Sequence, residues 1–187
     1  PRRSATDQLT RLRTLTEECF DHYENKFKQE DATREAIALE PFELKTKKQR
    51  VYSEFKESPD GRYYAWVTNE RGQYKVWVHE KATGKTKKIV KGEKKLERIV
   101  DRSFPVLAWH PTSGALSYTI EKKGQLSIRT YTIEDRKTNE RPIHQLKKIL
   151  SMEYSPDGRT MIFSGVFDGR TDLYLHHVIG NRQEQLT

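Results

Sequence analysis

The side chains best suited to chemistry in this chain are its six histidines, its one cysteine, and two aspartates held in a repeated motif. The histidines are His22, His79, His110, His144, His176 and His177. None stands at metal-ligand spacing with a cysteine or carboxylate set on one face. His176 and His177 are adjacent on an expected strand and point to opposite faces, so a structural role outweighs a metal site. Asp60 and Asp157 would suit a general base in isolation, but each sits in the same segment, Ser-Pro-Asp-Gly-Arg, which marks them as turn holders. The chain has no G-x-S-x-G, no phosphate loop and no H-E-x-x-H. No catalytic residue, cofactor or metal is therefore expected. The lone Cys19 can form no disulfide within the chain.

The cations are the other candidates. Net charge is +8 and the pI about 9.5, which favours acidic partners such as an acidic protein face, anionic lipid or nucleic acid. They concentrate in Lys45 to Arg50 and in Lys85 to Arg98. Lys45, Lys47, Lys48, Arg50, Lys87 and Lys88 are the candidate partner-binding positions. One reading makes them solvated edge charges that discourage strand pairing; the other makes them a surface for an acidic or anionic partner. Nucleic acid is not expected, because aromatics are not interleaved with the cations for stacking. No run approaches the roughly 18 apolar residues of a membrane span.

The positioning elements are short apolar runs separated by turn residues. In the last copy, Ser155-Pro156-Asp157-Gly158 is a turn and Asp168-Gly169 a hairpin signal, since proline presets φ and glycine supplies positive φ. The first copy has Ser58-Pro59-Asp60-Gly61 followed by Tyr63-Tyr64-Ala65-Trp66-Val67. The middle copy, around Pro111 and Gly114, has lost the aspartate. The turn prolines Pro59, Pro111 and Pro156 lie 52 and 45 residues apart, with about four strands per unit, which is the signature of β-propeller blades. Strands are expected at 51–57, 62–68, 73–80 and 86–91; at 104–110, 115–120, 125–133 and 143–147; and at 148–154, 160–166, 172–178 and 182–186. The inner strands read as near-continuous apolar runs, as sheets covered on both faces require.

Tyr154 to Arg159, Ile162-Phe163, Asp168-Gly169, Asp172 to Tyr174 and Leu186-Thr187 resemble the repeat of TolB-like propellers. Such repeats occur in periplasmic TolB-type proteins and in the propellers of prolyl-oligopeptidase-like enzymes. The resemblance is specific for fold and weak for function.

The organisation expected is an N-terminal helical segment over 1–44, a basic linker over 45–50 and blades over 51–187. Leu9, Leu12, Leu15, Cys19, Phe20, Tyr23 and Phe27 fall on one face of a helix. That helix either docks within the chain or binds a separate partner. The fold class is mainly β, with about three four-stranded antiparallel blades. Three blades do not close a ring, so the chain is expected to be part of a longer propeller or to have its open ends covered by partner chains. The resemblance implies a non-enzymatic scaffold for protein–protein interaction in a bacterial cell-envelope complex, at the periplasm or the periplasmic face of the outer membrane. The alternative it implies is the propeller portion of a prolyl-oligopeptidase-like hydrolase. A cytoplasmic or nuclear WD-type scaffold fits less well, because the Gly-His and Trp-Asp marks are missing.

Overall fold

The computed structural model describes residues 42, 44, 46–92, 104–144 and 146–187. The helix expected over 1–44 lies outside the described residues. All strands among the described residues fall in the unit Thr46–Thr187.

The described residues form twelve strands in three sheets, each a simple up-and-down antiparallel meander. Sheet 1 holds β1 (Val51–Glu57), β2 (Tyr63–Glu70), β3 (Gln73–Glu80) and β4 (Lys85–Lys91). Sheet 2 holds β5 (Leu107–Trp109), β6 (Ala115–Lys122), β7 (Gln125–Thr132) and β8 (Thr138–Pro142). Sheet 3 holds β9 (Lys148–Tyr154), β10 (Thr160–Phe167), β11 (Arg170–His177) and β12 (Arg182–Gln185).

The β2–β3, β6–β7 and β10–β11 hairpins turn at Arg71-Gly72, Lys123-Gly124 and Asp168-Gly169. Both central residues of each turn have positive φ, near +50° for the first and +74° to +80° for the glycine. That geometry matches the twist of the strands it joins.

Two strands differ from the sequence reading. β5 is shorter than expected because Pro105 has no N–H to give the ladder. The last strand of sheet 2 is Thr138–Pro142 and not 143–147. A turn closed by Thr132 N–H donating to Lys137 O, with Arg136 at φ +57°, starts it early. Its residues are polar because it is an outer strand, so no apolar run announces it. Ile143 lies just past its end and is buried.

The sheets stack through two apolar joints. Each sheet has a forward face, towards the following sheet, and a backward face. In the first joint Ala65, Val67, Val76 and Val78 meet Leu107, Trp109, Leu116, Tyr118 and Ile120. In the second, Ala108, Leu126 and Ile128 meet Met152, Met161, Phe163 and Tyr174. Alternate residues of β6 therefore serve opposite joints, which is why Leu116 to Ile120 are all buried. The first strands β1, β5 and β9 lie next to one another, as the innermost strands of consecutive blades do.

β10 departs from the expected continuous burial. Met161 and Phe163 are buried, while Ile162 between them is exposed. Its forward face has no sheet against it among the described residues.

Candidate interaction surface

The turns that connect the first two strands of each blade are built from the repeated motif. In the first copy the Ser58 hydroxyl donates to Asp60 Oδ1 (2.7 Å) and accepts from the Tyr63 amide (2.9 Å). Asp60 Oδ1 also accepts from the Arg62 amide (3.0 Å), and Gly61 sits at φ +70°. The third copy repeats this: Ser155 Oγ donates to Asp157 Oδ1 at 2.6 Å, Arg159 N–H donates to the same oxygen at 3.0 Å, and Gly158 has φ +70°. Pro59 and Pro156 preset φ at the second position of each turn.

Burial alone would raise the Asp60 carboxyl, but the Ser58 hydroxyl, the Arg62 amide and side chain and the Ser113 contact hold it well below the usual carboxylate range. Asp157 is lowered chiefly by the Ser155 hydroxyl and then by the Arg159 amide. Both carboxylates accept hydrogen bonds inside their own turns and are held ionised, and a group held ionised in that way is a poor proton abstractor at neutral pH.

The middle turn uses different residues for the same geometry. His110 takes the place of the serine, with its Nδ1 2.8 Å from Thr112 Oγ1. The left-handed position belongs to Ser113, at φ +58°, and not to Gly114. Because this residue is not glycine it has a hydroxyl, and that hydroxyl accepts from the Asp60 amide of the preceding blade at 3.0 Å. His110 in turn lies edge-on to Tyr154 (centroids 5.0 Å apart) and over Gly158. A Cβ on Gly158 would stand 2.3 Å from His110 Nε2. The three turns thus interlock, each touching the next.

The inner strands add polar crosslinks that sequence reasoning missed. Glu54, at φ +52° in a bulge of β1, accepts from the Leu107 amide (3.1 Å). Trp109 Nε1 donates to Lys56 O (3.2 Å), and Lys56 Nζ pairs with Glu153 of β9. Ser117 Oγ joins the Tyr154 hydroxyl across the second joint and Thr130 Oγ1 on the neighbouring strand of its own sheet, each at 2.7 Å. No local pattern marks Glu54, since a bulge with positive φ at a glutamate has no composition cue.

The basic positions do not form one patch. Lys45 lies outside the described residues. Lys47 and Lys48 are exposed in the short turn before β1. Arg50 is ion-paired with Glu70 (2.9 Å). Lys87 and Lys88 are neighbours on β4 and therefore point to opposite faces. Lys87 Nζ reaches the Tyr131 hydroxyl at 3.0 Å and sits in a cleft of about 260 Å³ between sheets 1 and 2, which also holds Glu80, Lys85, Glu134 and Arg136. Lys88 is paired in register with Trp77 and is exposed.

A second cleft, about 250 Å³, lies between sheets 2 and 3, with His144, Tyr174, His176, Asn181, Gln183 and Gln185 around it. His176 is almost wholly buried and its Nδ1 has no hydrogen-bond partner. Burial, then Arg141 and His177, push its pKa down, so it is neutral near pH 7. Among the described residues no cluster of three or more histidine, cysteine or acidic side chains could hold a metal. Among them, too, no helix is long and apolar enough to cross a membrane.

No protein-family model matches the chain, and no curated protein matches it. Solved structures do. The chain is similar to TolB from Acinetobacter baumannii, with a TM-score of 0.58 and 18% identity over 73% of this chain and 32% of that one. It is similar to the β-propeller domain of the trilobed protease from Pyrococcus furiosus, with a TM-score of 0.55 and 11% identity over 75% of this chain and 44% of that domain. It also resembles a dipeptidyl aminopeptidase IV assignment from Bacteroides ovatus, with a TM-score of 0.54 and 15% identity over 77% of this chain and 29% of that one. The chain therefore spans less than half the length of each of these proteins. Identities this low speak for fold and not for activity, and the fold they show, together with the three meanders and their serial joints, is that of a TolB-like β-propeller.

Proposed function

We propose that the chain is a non-enzymatic propeller scaffold that binds other proteins in a bacterial cell envelope. The observation that carries this reading is the interlocked series of turns: the Ser58, Asp60, Ser155 and Asp157 side chains are engaged within their own turns, while Ser113 and His110 join each turn to the next. Such a frame displays loops at fixed positions, and it loses little entropy when a partner docks on them. The likeness to TolB supports the envelope setting and a location at the periplasm or the periplasmic face of the outer membrane. The binding positions are the basic ones, Lys45, Lys47, Lys48, Arg50, Lys87 and Lys88, and the partner face is acidic. Within that set Lys47, Lys48 and Lys88 carry the attraction, because Arg50 and Lys87 already have partners in the fold. Rim charges of this kind speed encounter and fix orientation more than they add affinity.

A second reading has its own support, since one of the similar structures is the propeller domain of a protease and another is described as a dipeptidyl aminopeptidase IV. In that reading the blades screen access to a hydrolase domain on the same polypeptide. Fractionation of cells carrying the tagged native protein, followed by fluorophosphonate labelling, separates the two. The scaffold reading expects recovery with envelope proteins and no label. Recovery from the cytosol without such partners would sink it, and a labelled serine on the same polypeptide would favour the peptidase.

A further inference from the structure

We propose that the cleft between sheets 2 and 3 binds a small organic carboxylate, taken between the Arg141 guanidinium and the His176 imidazole. The first joint shows what this place holds when the fold fills it from within. Aligning the three copies on Pro59, Pro111 and Pro156 makes Leu116 and Met161 equivalent, and through the strand registers Tyr131 and His176 as well. The Tyr131 hydroxyl accepts from Lys87 Nζ of the preceding sheet at 3.0 Å. In the second joint the place of Lys87 belongs to Asn139, which is exposed and makes no bond to the ring. His176 is 1% exposed, and its Nδ1 is left without a partner. A buried polar atom left unpaired is costly and uncommon in a folded protein.

Arg141 supplies the charge. It is paired in register with Ile128, which is buried in the second joint, so its side chain stands on the same face of sheet 2, towards sheet 3. In the first joint Val90 holds the equivalent place. Arg141 is half-buried, its charge acts on His176, and it has no carboxylate partner among the described residues. The rest of the lining offers donors in His144, Asn181 and Gln183, an apolar wall in Ile143 and Tyr174, and no acidic side chain. Asp172, the acid nearest in the ladder, is bonded to Gln185 (3.1 Å), and Glu184 is on the other face of β12, paired with Arg182 and His177.

This set of groups selects a planar anion. A guanidinium fork matches a carboxylate with two parallel hydrogen bonds, and a cation would be repelled by Arg141. The His176 ring packs on Phe163 with centroids 6.2 Å apart, which fixes its plane. A half-turn of the ring within that plane exchanges Nδ1 with Cδ2, so an oxygen in the cleft can be met by a nitrogen. The cleft volume, about 250 Å³, is below the roughly 300–1,000 Å³ of sites for larger ligands, so the acid is of amino-acid size or smaller. The short apolar wall suits a few carbons next to the carboxylate. The cleft is the same whether the propeller is a scaffold or the front of a peptidase.

Nuclear magnetic resonance of the histidine Cε1–H groups, in the protein purified at its native length, tests the site. Isovalerate is the probe, isopentanol its uncharged counterpart, and inorganic phosphate and chloride at matched ionic strength are the other anions. Isovalerate is expected to move the His176 resonance saturably, with a Kd on the order of 1 mM, while His79 on sheet 1 stays still. The pKa of His176 should rise in the saturated protein, because a carboxylate beside the ring favours its charged form. Arg141→Gln should weaken binding at least tenfold and Arg141→Lys less, with the remaining histidine resonances in place to show that the fold persists. No movement of His176 at tens of millimolar isovalerate would overturn the proposal. So would equal movement with isopentanol or chloride, tighter binding of phosphate than of isovalerate, or unchanged binding by Arg141→Gln.

Discussion

Placing a methyl group on Gly158 tests whether the turns of neighbouring blades truly interlock. Gly158 and Gly169 both have left-handed φ, +70° and +76°. Replacing either with alanine forces an L side chain into that region, at about 1–2 kcal/mol. At Gly169 nothing lies within 4 Å of the new Cβ, so the backbone cost is the whole cost. At Gly158 the Cβ would be 2.3 Å from His110 Nε2 and 2.6 Å from its Cε1. The imidazole must move, which disrupts its edge-on contact with Tyr154 and its bond with Thr112. Those two contacts are together worth about 1–3 kcal/mol. Gly158→Ala should therefore cost about 2–5 kcal/mol and Gly169→Ala about 1–2. The assay is urea unfolding followed by tryptophan fluorescence, with the slope checked for constancy. A double-mutant cycle with His110→Ala should recover about 1 kcal/mol or more of the Gly158→Ala penalty, since the obstructing ring is gone. Equal costs at the two glycines, with no coupling to His110, would refute the interlocking of the turns.

Phe163→Ala in the 187-residue chain should cost about 3–5 kcal/mol, because Phe163 is buried in the second joint against Tyr174 and His176, whereas Ile162→Ala next to it should cost about 1 or less. Chemical denaturation of the two variants side by side checks this, and similar losses would mean that the two faces of β10 are misassigned. The Asp60 carboxyl is lower in the folded than in the unfolded protein. The stability it contributes is thus complete above the ordinary carboxylate range and is lost as pH falls through that range towards the folded value, below about pH 4. Asp60→Asn should flatten that part of the acid-unfolding profile, measured by circular dichroism. His176 is also lowered in the fold, so its contribution is present above the unfolded histidine value and fades as pH drops from about 6.5. Thermal melts of His176→Gln should lose less between pH 7 and pH 5 than those of the unsubstituted protein.

Much of this fold was readable because turn chemistry is local. Asp168-Gly169 and Ser155-Pro156-Asp157-Gly158 announce their φ values in their residue types, and the spacing of three such turns implies blades. The expected continuity of burial along inner strands held for β2 and β6, which have covered faces. It failed for β10, whose forward face is open, because exposure depends on a neighbouring sheet and not on the strand itself. β8 was misplaced since an outer strand has polar residues and its turn uses Arg136 where a glycine would have signalled it. The crosslinks of Glu54 to Leu107 and of Ser113 to Asp60 join residues 53 apart, beyond the reach of any local pattern. The basic positions were visible as a composition, but their division between paired and exposed side chains depends on strand parity and on partners such as Glu70 and Tyr131.

Crosslinking of lysines in intact cells, with mass-spectrometric identification of the linked peptides, tests the scaffold reading most directly. The account predicts that Lys47, Lys48 and Lys88 link to acidic segments of other envelope proteins, and that replacing all three with glutamate removes those links while the strand pattern survives. Links from these lysines confined to the protein's own polypeptide, with the same envelope proteins still recovered with the triple variant, would contradict it.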